Sequence, residues 1–347
     1  MKIKFILLLF FCSLIIYSQD KESTNTFKTE VTGIGTNAAS FLEIGIGARD
    51  QGIGGSYTSV ANDVTALYWN PAGIAWINQN QIEVMQSNWL VGGKFIFSGI
   101  VVPLGFANSS VGFHYVSLGF DSHPVRTVDR PEGTGETYDT QDFAVGLSYA
   151  VALTDRFSFG ATAKYINQRI WHEAGSAVAV DLGIFYNTEL EGLRLGFCMS
   201  NFGTELQLDG RSLDTSVDPD DEVQNFDRVP AQYTTESFPL PLTFRAGISY
   251  ELKTGDFGKG LLSVDLLHPS HSPESISVGV EYNFIDMFFI RSGYQNIFNK
   301  EAINGLTLGV GVDYFNTQMN MGVRFDYSWT DWGILDNAQR FSVAIIF

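Results

Sequence analysis

The sequence predicts an all-β fold, a transmembrane antiparallel β-barrel of fourteen strands. Three observations point to it. Apolar side chains recur at every second position over stretches of about ten residues, the period of a strand whose two faces meet different surroundings. Brief and long connectors alternate along the chain. Aromatic side chains gather near one end of every second strand.

The alternation is plainest toward the C-terminus. Leu306, Leu308, Val310, Val312 and Tyr314 form one apolar set, followed by Met319, Met321, Val323, Phe325 and Tyr327, then by Phe341, Val343, Ile345 and Phe347. Between them lie Thr307, Gly309, Gly311 and Asp313, then Asn320, Gly322, Arg324 and Asp326, then Ser342, Ala344 and Ile346. Charged groups on one face and hydrocarbon on the other describe a wall between lipid and a wet interior. The same pattern occurs in Leu242–Tyr250, Ile276–Tyr282 and Val178–Ile184.

Read forward, the strands are expected at 81–90, 93–104, 109–120, 141–151, 156–170, 175–186, 193–200, 242–252, 260–268, 274–284, 286–295, 304–315, 317–328 and 338–347. Connectors after even-numbered strands are brief: Gly105–Asn108, Ala152–Asp155, Asn187–Gly192, Lys253–Lys259, Ile285 and Asn316. The two longest, 121–140 and 201–241, follow odd-numbered strands. Short periplasmic turns and longer outer loops are the rule for barrels with an even strand number. Tyr149, Tyr186, Tyr250, Tyr282, Tyr314 and Phe347 fall near the ends of even strands, where amphipathic rings prefer the membrane interface.

Composition agrees. Hydrophobic residues make up 45% of 347, yet beyond the N-terminus no apolar run approaches the roughly 18 residues of a membrane helix. Lys2 and Lys4 precede the apolar run Phe5–Tyr17, and Ser18-Gln19 ends it, which reads as a cleavable secretory signal over 1–18. Cys12 lacks the small residues of a lipoprotein processing site, so no lipid anchor is expected. Cleavage leaves Cys198 alone and no intramolecular disulfide. A net charge of −17 argues against nucleic acid. Asp218, Asp220, Asp221 and Glu222 nearly adjoin in the 201–241 connector and read as a solvated loop rather than a calcium loop.

One strand departs from the rule. Val111, Phe113 and Tyr115 share a phase, but Val116, Leu118 and Phe120 take the opposite one, which predicts a bulge or kink at Tyr115–Val116. Such a kink would weaken the wall where a molecule could pass sideways.

Residues 19–80 precede the barrel, which is expected over 81–347. The glycines here make it flexible or tightly turned, and Asn70-Pro71-Ala72-Gly73 is a strong turn signal. No dinucleotide fingerprint is formed, because Asp50 stands at the third glycine place after Gly45 and Gly47. The run GIGARDQGIGGSYTSVANDVTALYWNPAGIA resembles the N-terminal signature of the PorV/PorQ family, itself related to the FadL transporters, which share an Asn-Pro-Ala element in an N-terminal hatch. Gly45, Ala48, Arg49, Gly52, Gly54, Gly55, Asp63, Trp69, Asn70, Pro71 and Ala72 carry the resemblance. It implies a fourteen-stranded barrel plugged by residues 19–80. It also implies protein partners in type IX secretion of Bacteroidota, either secreted cargo or the translocon, with the loops 121–140 and 201–241 as binding surfaces.

The luminal charges expected are Asp181, Arg245, Asp265, Glu281, Asp313, Arg324 and Asp326, and Arg49 is expected to pair with wall carboxylates, since buried charges must be compensated. His268 and His271 are close only in a turn, weak evidence for a metal. Neither a nucleophile elbow nor a paired-cysteine motif occurs, so no enzyme and no cofactor are expected. The alternatives to a protein-binding subunit are a FadL-like channel for a hydrophobic small molecule, released through the wall near Tyr115–Val116, and an accessory subunit of another outer-membrane assembly.

Overall fold

The computed structural model describes residues 35–218, 229–253, 258–299 and 302–347. The expected signal, Cys12 and the acidic Asp220–Glu222 lie outside the described residues.

Fourteen long strands form one antiparallel wall: β1 Gln81–Asn88, β2 Lys94–Pro103, β3 Ser109–Pro124, β4 Thr137–Ala152, β5 Phe157–Ile170, β6 Glu173–Asn187, β7 Leu193–Gly203, β8 Thr243–Lys253, β9 Gly258–Pro269, β10 Ser275–Phe284, β11 Phe288–Ile297, β12 Leu306–Asn316, β13 Met321–Asp331 and β14 Asn337–Ile346. Each pairs with its sequence neighbours, and β14 pairs with β1 from Gln81↔Ile346 to Asn88↔Gln339, closing the cylinder. Asn80 and Phe347 exchange backbone hydrogen bonds of 3.0 and 2.9 Å just beyond that seam. Closure leaves no open edge, the condition for backbone polar groups at hydrocarbon depth.

The predicted faces are the observed ones. Leu306, Leu308, Val310, Val312 and Tyr314 are exposed on the outside, while Thr307, Gly309 and Gly311 between them are buried. Phe325, Phe341 and Val343 point out; Arg324, Asp326 and Ser342 are buried. Tyr149, Tyr250, Tyr314 and Phe347 are exposed near the ends of even strands, as an interfacial girdle requires. A closed wall with an apolar exterior and a polar interior is an outer-membrane β-barrel.

The two longest connectors depart furthest from expectation; the turns expected at Ile285 and Asn316 fall at 285–287 and 317–320. β3 and β4 continue as a hairpin beyond the predicted ends, with His123 opposite Tyr138 and Pro124 opposite Thr137, so the loop expected at 121–140 shrinks to 125–136. Their outer residues are polar and exposed on both faces, which erases the hydrophobic alternation without preventing pairing. The 201–241 connector also carries short ladders, Leu206–Gln207 with Ser237–Phe238 and Asp214–Val217 with Val229–Gln232.

The kink expected at Tyr115–Val116 is not there. β3 stays in register with β2 and β4 through both residues, and the only shift along it comes between Phe120 and His123. Val116 is 2% exposed and faces inward, with Leu118 packed on the apolar cluster inside. The hydrophobic phase changes because the inner surface is apolar there, not because the strand bends.

What makes it apolar is the segment 35–80. Short helices α1 (Ala48–Gly52) and α2 (Ala66–Trp69) and a 3₁₀ turn at Pro71–Trp76 are joined by tight turns. Asn70 caps the last of these by accepting a hydrogen bond from the Ala72 N–H, with Pro71 at the first position. Ile46, Ile53, Val60, Val64, Leu67 and Ile74 are fully buried among Met85, Phe95, Phe97 and Ile166 of the wall. Each such side chain contributes roughly 1.5–3 kcal/mol on burial. That packing, rather than the intrinsic preference of such short helices, holds the segment.

Candidate functional site

Three groups of residues stand out along the wall, the first two where it meets residues 35–80. The first is an ion network. Arg49 donates Nε and Nη2 to the two oxygens of Glu281, both at 3.0 Å, and Nη1 to Asp63 at 3.1 Å and to the Tyr57 hydroxyl at 3.1 Å. Arg291 donates to Glu281 and to Asp326, each at 2.6 Å. Arg324 reaches Asp63 at 2.9 Å, Glu83 at 3.1 Å and Asp326 at 3.0 Å. Three guanidiniums thus interleave with four carboxylates, nearly all out of solvent. Every charge but Glu83, which meets Arg324 alone, has more than one opposite neighbour, so the desolvation cost is offset only while the set stays assembled.

The second group is a set of close backbone approaches. Gly54 has φ +72°, and a Cβ there would lie 2.7 Å from the Val278 carbonyl and 3.0 Å from the Tyr294 nitrogen, so both conformation and space demand glycine. A Cβ on Gly183 of β6 would meet the Asn70 side chain at 2.2 Å. Through that gap the Asn70 amide donates to the Ile184 and Thr58 carbonyls, both at 2.9 Å. Gly52 sits on Gly309 and accepts from the Thr307 hydroxyl at 3.3 Å; the Ala48 N–H donates to Ser342 at 3.0 Å. Gly45 and Gly55 crowd the Gln51 amide, and Trp69 donates to the Ile46 carbonyl.

The third group lies at the one marked irregularity among β5–β8. Between β6 and β7 the register shifts from Val180↔Phe202 to Leu182↔Met199, which leaves Asn201 in a left-handed bulge with φ +66°. Asp181 accepts the Asn201 N–H at 2.7 Å and the Lys164 ammonium at 2.8 Å, replacing the lost ladder contact. Lys164 also donates to the Asn201 carbonyl oxygen of the side chain. Outside the bulge lies a groove of about 550 Å³ lined by Phe113, Leu147, Tyr165, Val178, Val180 and Phe202. A second apolar groove, about 390 Å³, crosses β5–β9 at Phe159, Leu182, Phe197 and Phe244.

Of the charges expected in the lumen, Glu281, Arg324 and Asp326 meet Arg49 and Asp63 in the network. Asp313 lines a cavity of about 290 Å³ beside it, at the even-strand ends. Asp181 belongs to the bulge, while Arg245 and Asp265 line a separate cavity of about 390 Å³ at the opposite end. Arg291, Glu83 and Lys164 went unnoticed in the sequence, although each occupies the inward phase of its strand. Reading Ile290, Ser292 and Tyr294 against Arg291, Gly293 and Gln295 is enough to find the first. His268 pairs with Glu274 at 3.1 Å on the surface and lies beside the Phe244 ring. Among the described residues no group of three His, Cys, Asp or Glu side chains could hold a metal ion.

No family model matches the chain, and no curated protein matches it in sequence. Solved structures do match in fold. The toluene transporter TodX of Pseudomonas putida superposes with a TM-score of 0.53 at 12% identity, over 87% of this chain and 97% of that one. The toluene transporter TbuX of Ralstonia pickettii gives 0.51 at 12% identity, with 87% and 97% covered. The CymD monoaromatic hydrocarbon channel gives 0.55 at 12% identity, again with 87% and 97% covered. At such identity the likeness is one of fold.

These matches overturn the PorV/PorQ resemblance and the type IX secretion role drawn from it. The motif that suggested it has another physical basis. Gly54 and Asn70-Pro71-Ala72 are what a segment needs to lie against a barrel wall, so they mark a way of packing rather than a secretion role.

Proposed function

We propose that this outer-membrane barrel is a FadL-like channel for a hydrophobic small molecule, with residues 35–80 as its hatch. The observation that carries the reading is the one-residue bulge between β6 and β7 beside an apolar groove of about 550 Å³. It supports sideways release into the membrane at Asn201, in place of the site first expected at Tyr115–Val116. The known channels of this fold, two named as toluene transporters and one as a monoaromatic hydrocarbon channel, support a permeant of that kind. The ion network about Arg49 holds the hatch against the wall, because opening would separate Arg49 from Glu281 in a low-dielectric setting.

The test is toluene uptake by vesicles bearing the purified barrel, compared with a variant lacking Asn201. Deleting that residue restores an unbroken β6–β7 ladder and is expected to slow uptake at least tenfold. Equal uptake by both proteins rules out the β6–β7 exit, and no uptake above bare vesicles rules out the channel.

A further inference from the structure

The cavity at the odd-strand ends holds polar groups that hydrocarbon passage leaves unused. Arg245 is 8% exposed; its Nη1 donates to Ser200 at 3.0 Å and its guanidinium lies 5.3 Å from the Trp69 ring centre. Its Nε–H has no hydrogen-bond partner. Asp265, 4% exposed, accepts the Thr58 N–H through Oδ2 at 2.9 Å, whereas its Oδ1 has none. The two residues are diagonal neighbours on the inner faces of β8 and β9, with Arg245 opposite Leu267 and Gly247 opposite Asp265. They are farther apart than an ion pair, yet both line the same cavity of about 390 Å³. A donor and an acceptor this deeply buried are destabilising for as long as they stay unpaired.

The surroundings narrow what fills the gap. Trp69, Trp89 and Trp332 also line the cavity, which suits a flat ring. Its charged lining is balanced, Arg245 and Arg340 against Glu43 and Asp265, so it offers no surplus of positive charge to an anion. Ser275 Oγ, Trp332 Nε1 and Arg340 Nε in the same lining are unpaired as well. For Arg245 Nε and Asp265 Oδ1, one uncharged group answers both: a hydroxyl, which accepts from Arg245 and donates to Asp265.

We propose that this outer cavity is a binding site for a neutral hydroxylated aromatic, a phenol, held between Arg245 Nε and Asp265 Oδ1. The inference rests on the channel reading and narrows its permeant from bare hydrocarbons to ring alcohols. A bare ring leaves both polar groups unpaired, and a methoxy ring satisfies only the donor.

Quenching of tryptophan fluorescence in the detergent-solubilised barrel, titrated with p-cresol, 4-methylanisole, toluene and p-toluate, tests it. Tighter binding of p-cresol than of 4-methylanisole or toluene, by about tenfold, is expected. Asp265→Asn keeps an oxygen for the Thr58 N–H and turns Oδ1 into a donor, so p-cresol should lose its advantage over 4-methylanisole. Arg245→Lys retains the charge but not Nε, and should weaken both oxygenated rings relative to toluene. Equal binding of p-cresol and toluene, an unaltered preference in Asp265→Asn, or strongest binding by p-toluate each overturns the proposal. Toluene uptake by wild-type vesicles tests the channel reading separately, so either can fail while the other stands.

Discussion

Replacing Arg49 by methionine removes the one guanidinium that ties α1 to the wall through paired contacts with Glu281. The cost follows from what its partners retain. Glu281 keeps Arg291 at 2.6 Å, and Asp63 keeps Arg324 at 2.9 Å, the Tyr57 hydroxyl at 2.7 Å and the Thr65 N–H at 3.1 Å. Neither carboxylate is stranded, so the loss belongs at the lower end of the roughly 3–5 kcal/mol for breaking a buried pair. About 3 kcal/mol is a factor of about 150 in the equilibrium for local release of the segment. Amide hydrogen exchange of the barrel in detergent reads that equilibrium directly. Amides of Ala48–Asp63 should exchange about a hundredfold faster in Arg49→Met, with those of β12–β14 unchanged. Glu281→Gln added to it should recover part of the loss, because the unmatched negative charge is then gone. Unchanged exchange in the single variant would refute the claim that this network holds the segment in place.

Gly54→Val should lower the yield of heat-resistant folded barrel, since the side chain meets wall backbone and the residue sits at φ +72°; a wild-type yield on semi-native gels contradicts the close approach. Lys164→Met should lower the melting temperature, because Asp181 stays buried without its cation, and Lys164→Met with Asp181→Asn should restore most of it; an unaltered single variant removes the ion pair from consideration. Cys198 is free, buried and inward-facing, so a bulky maleimide should react with it only after unfolding; rapid labelling of the native barrel contradicts a closed wall at β7.

The barrel was legible because lipid imposes a two-residue period that nothing inside the cylinder can erase. Leu306–Tyr314 faces out whatever Thr307 and Gly309 touch. The lumen was harder to read, for a physical reason: inward residues answer to a partner brought in from elsewhere in the chain. Val116 and Leu118 suggested a kink because apolar inward residues looked like a change of face, whereas they meet Leu67 and its neighbours. The bulge at Asn201, one of three register shifts along the wall, carries no hydrophobic signature, since it is set by one polar residue in a left-handed conformation and by the distant Asp181. Arg49, Asp63 and the Asn70-Pro71-Ala72 turn were picked out by a motif whose implied role was wrong and whose positions nevertheless meet the wall.

The seam between β1 and β14 joins residues from opposite ends of the barrel sequence, zipped through eight facing pairs. The segment 35–80 runs directly into β1 and makes hydrogen bonds to side chains or carbonyls on β6, β9, β10, β13 and β14. Those bonds fall on five strands, several of which share no ladder with one another. The amino-terminal stretch therefore acts as an internal brace, tying together parts of the wall that the backbone pairing alone leaves independent.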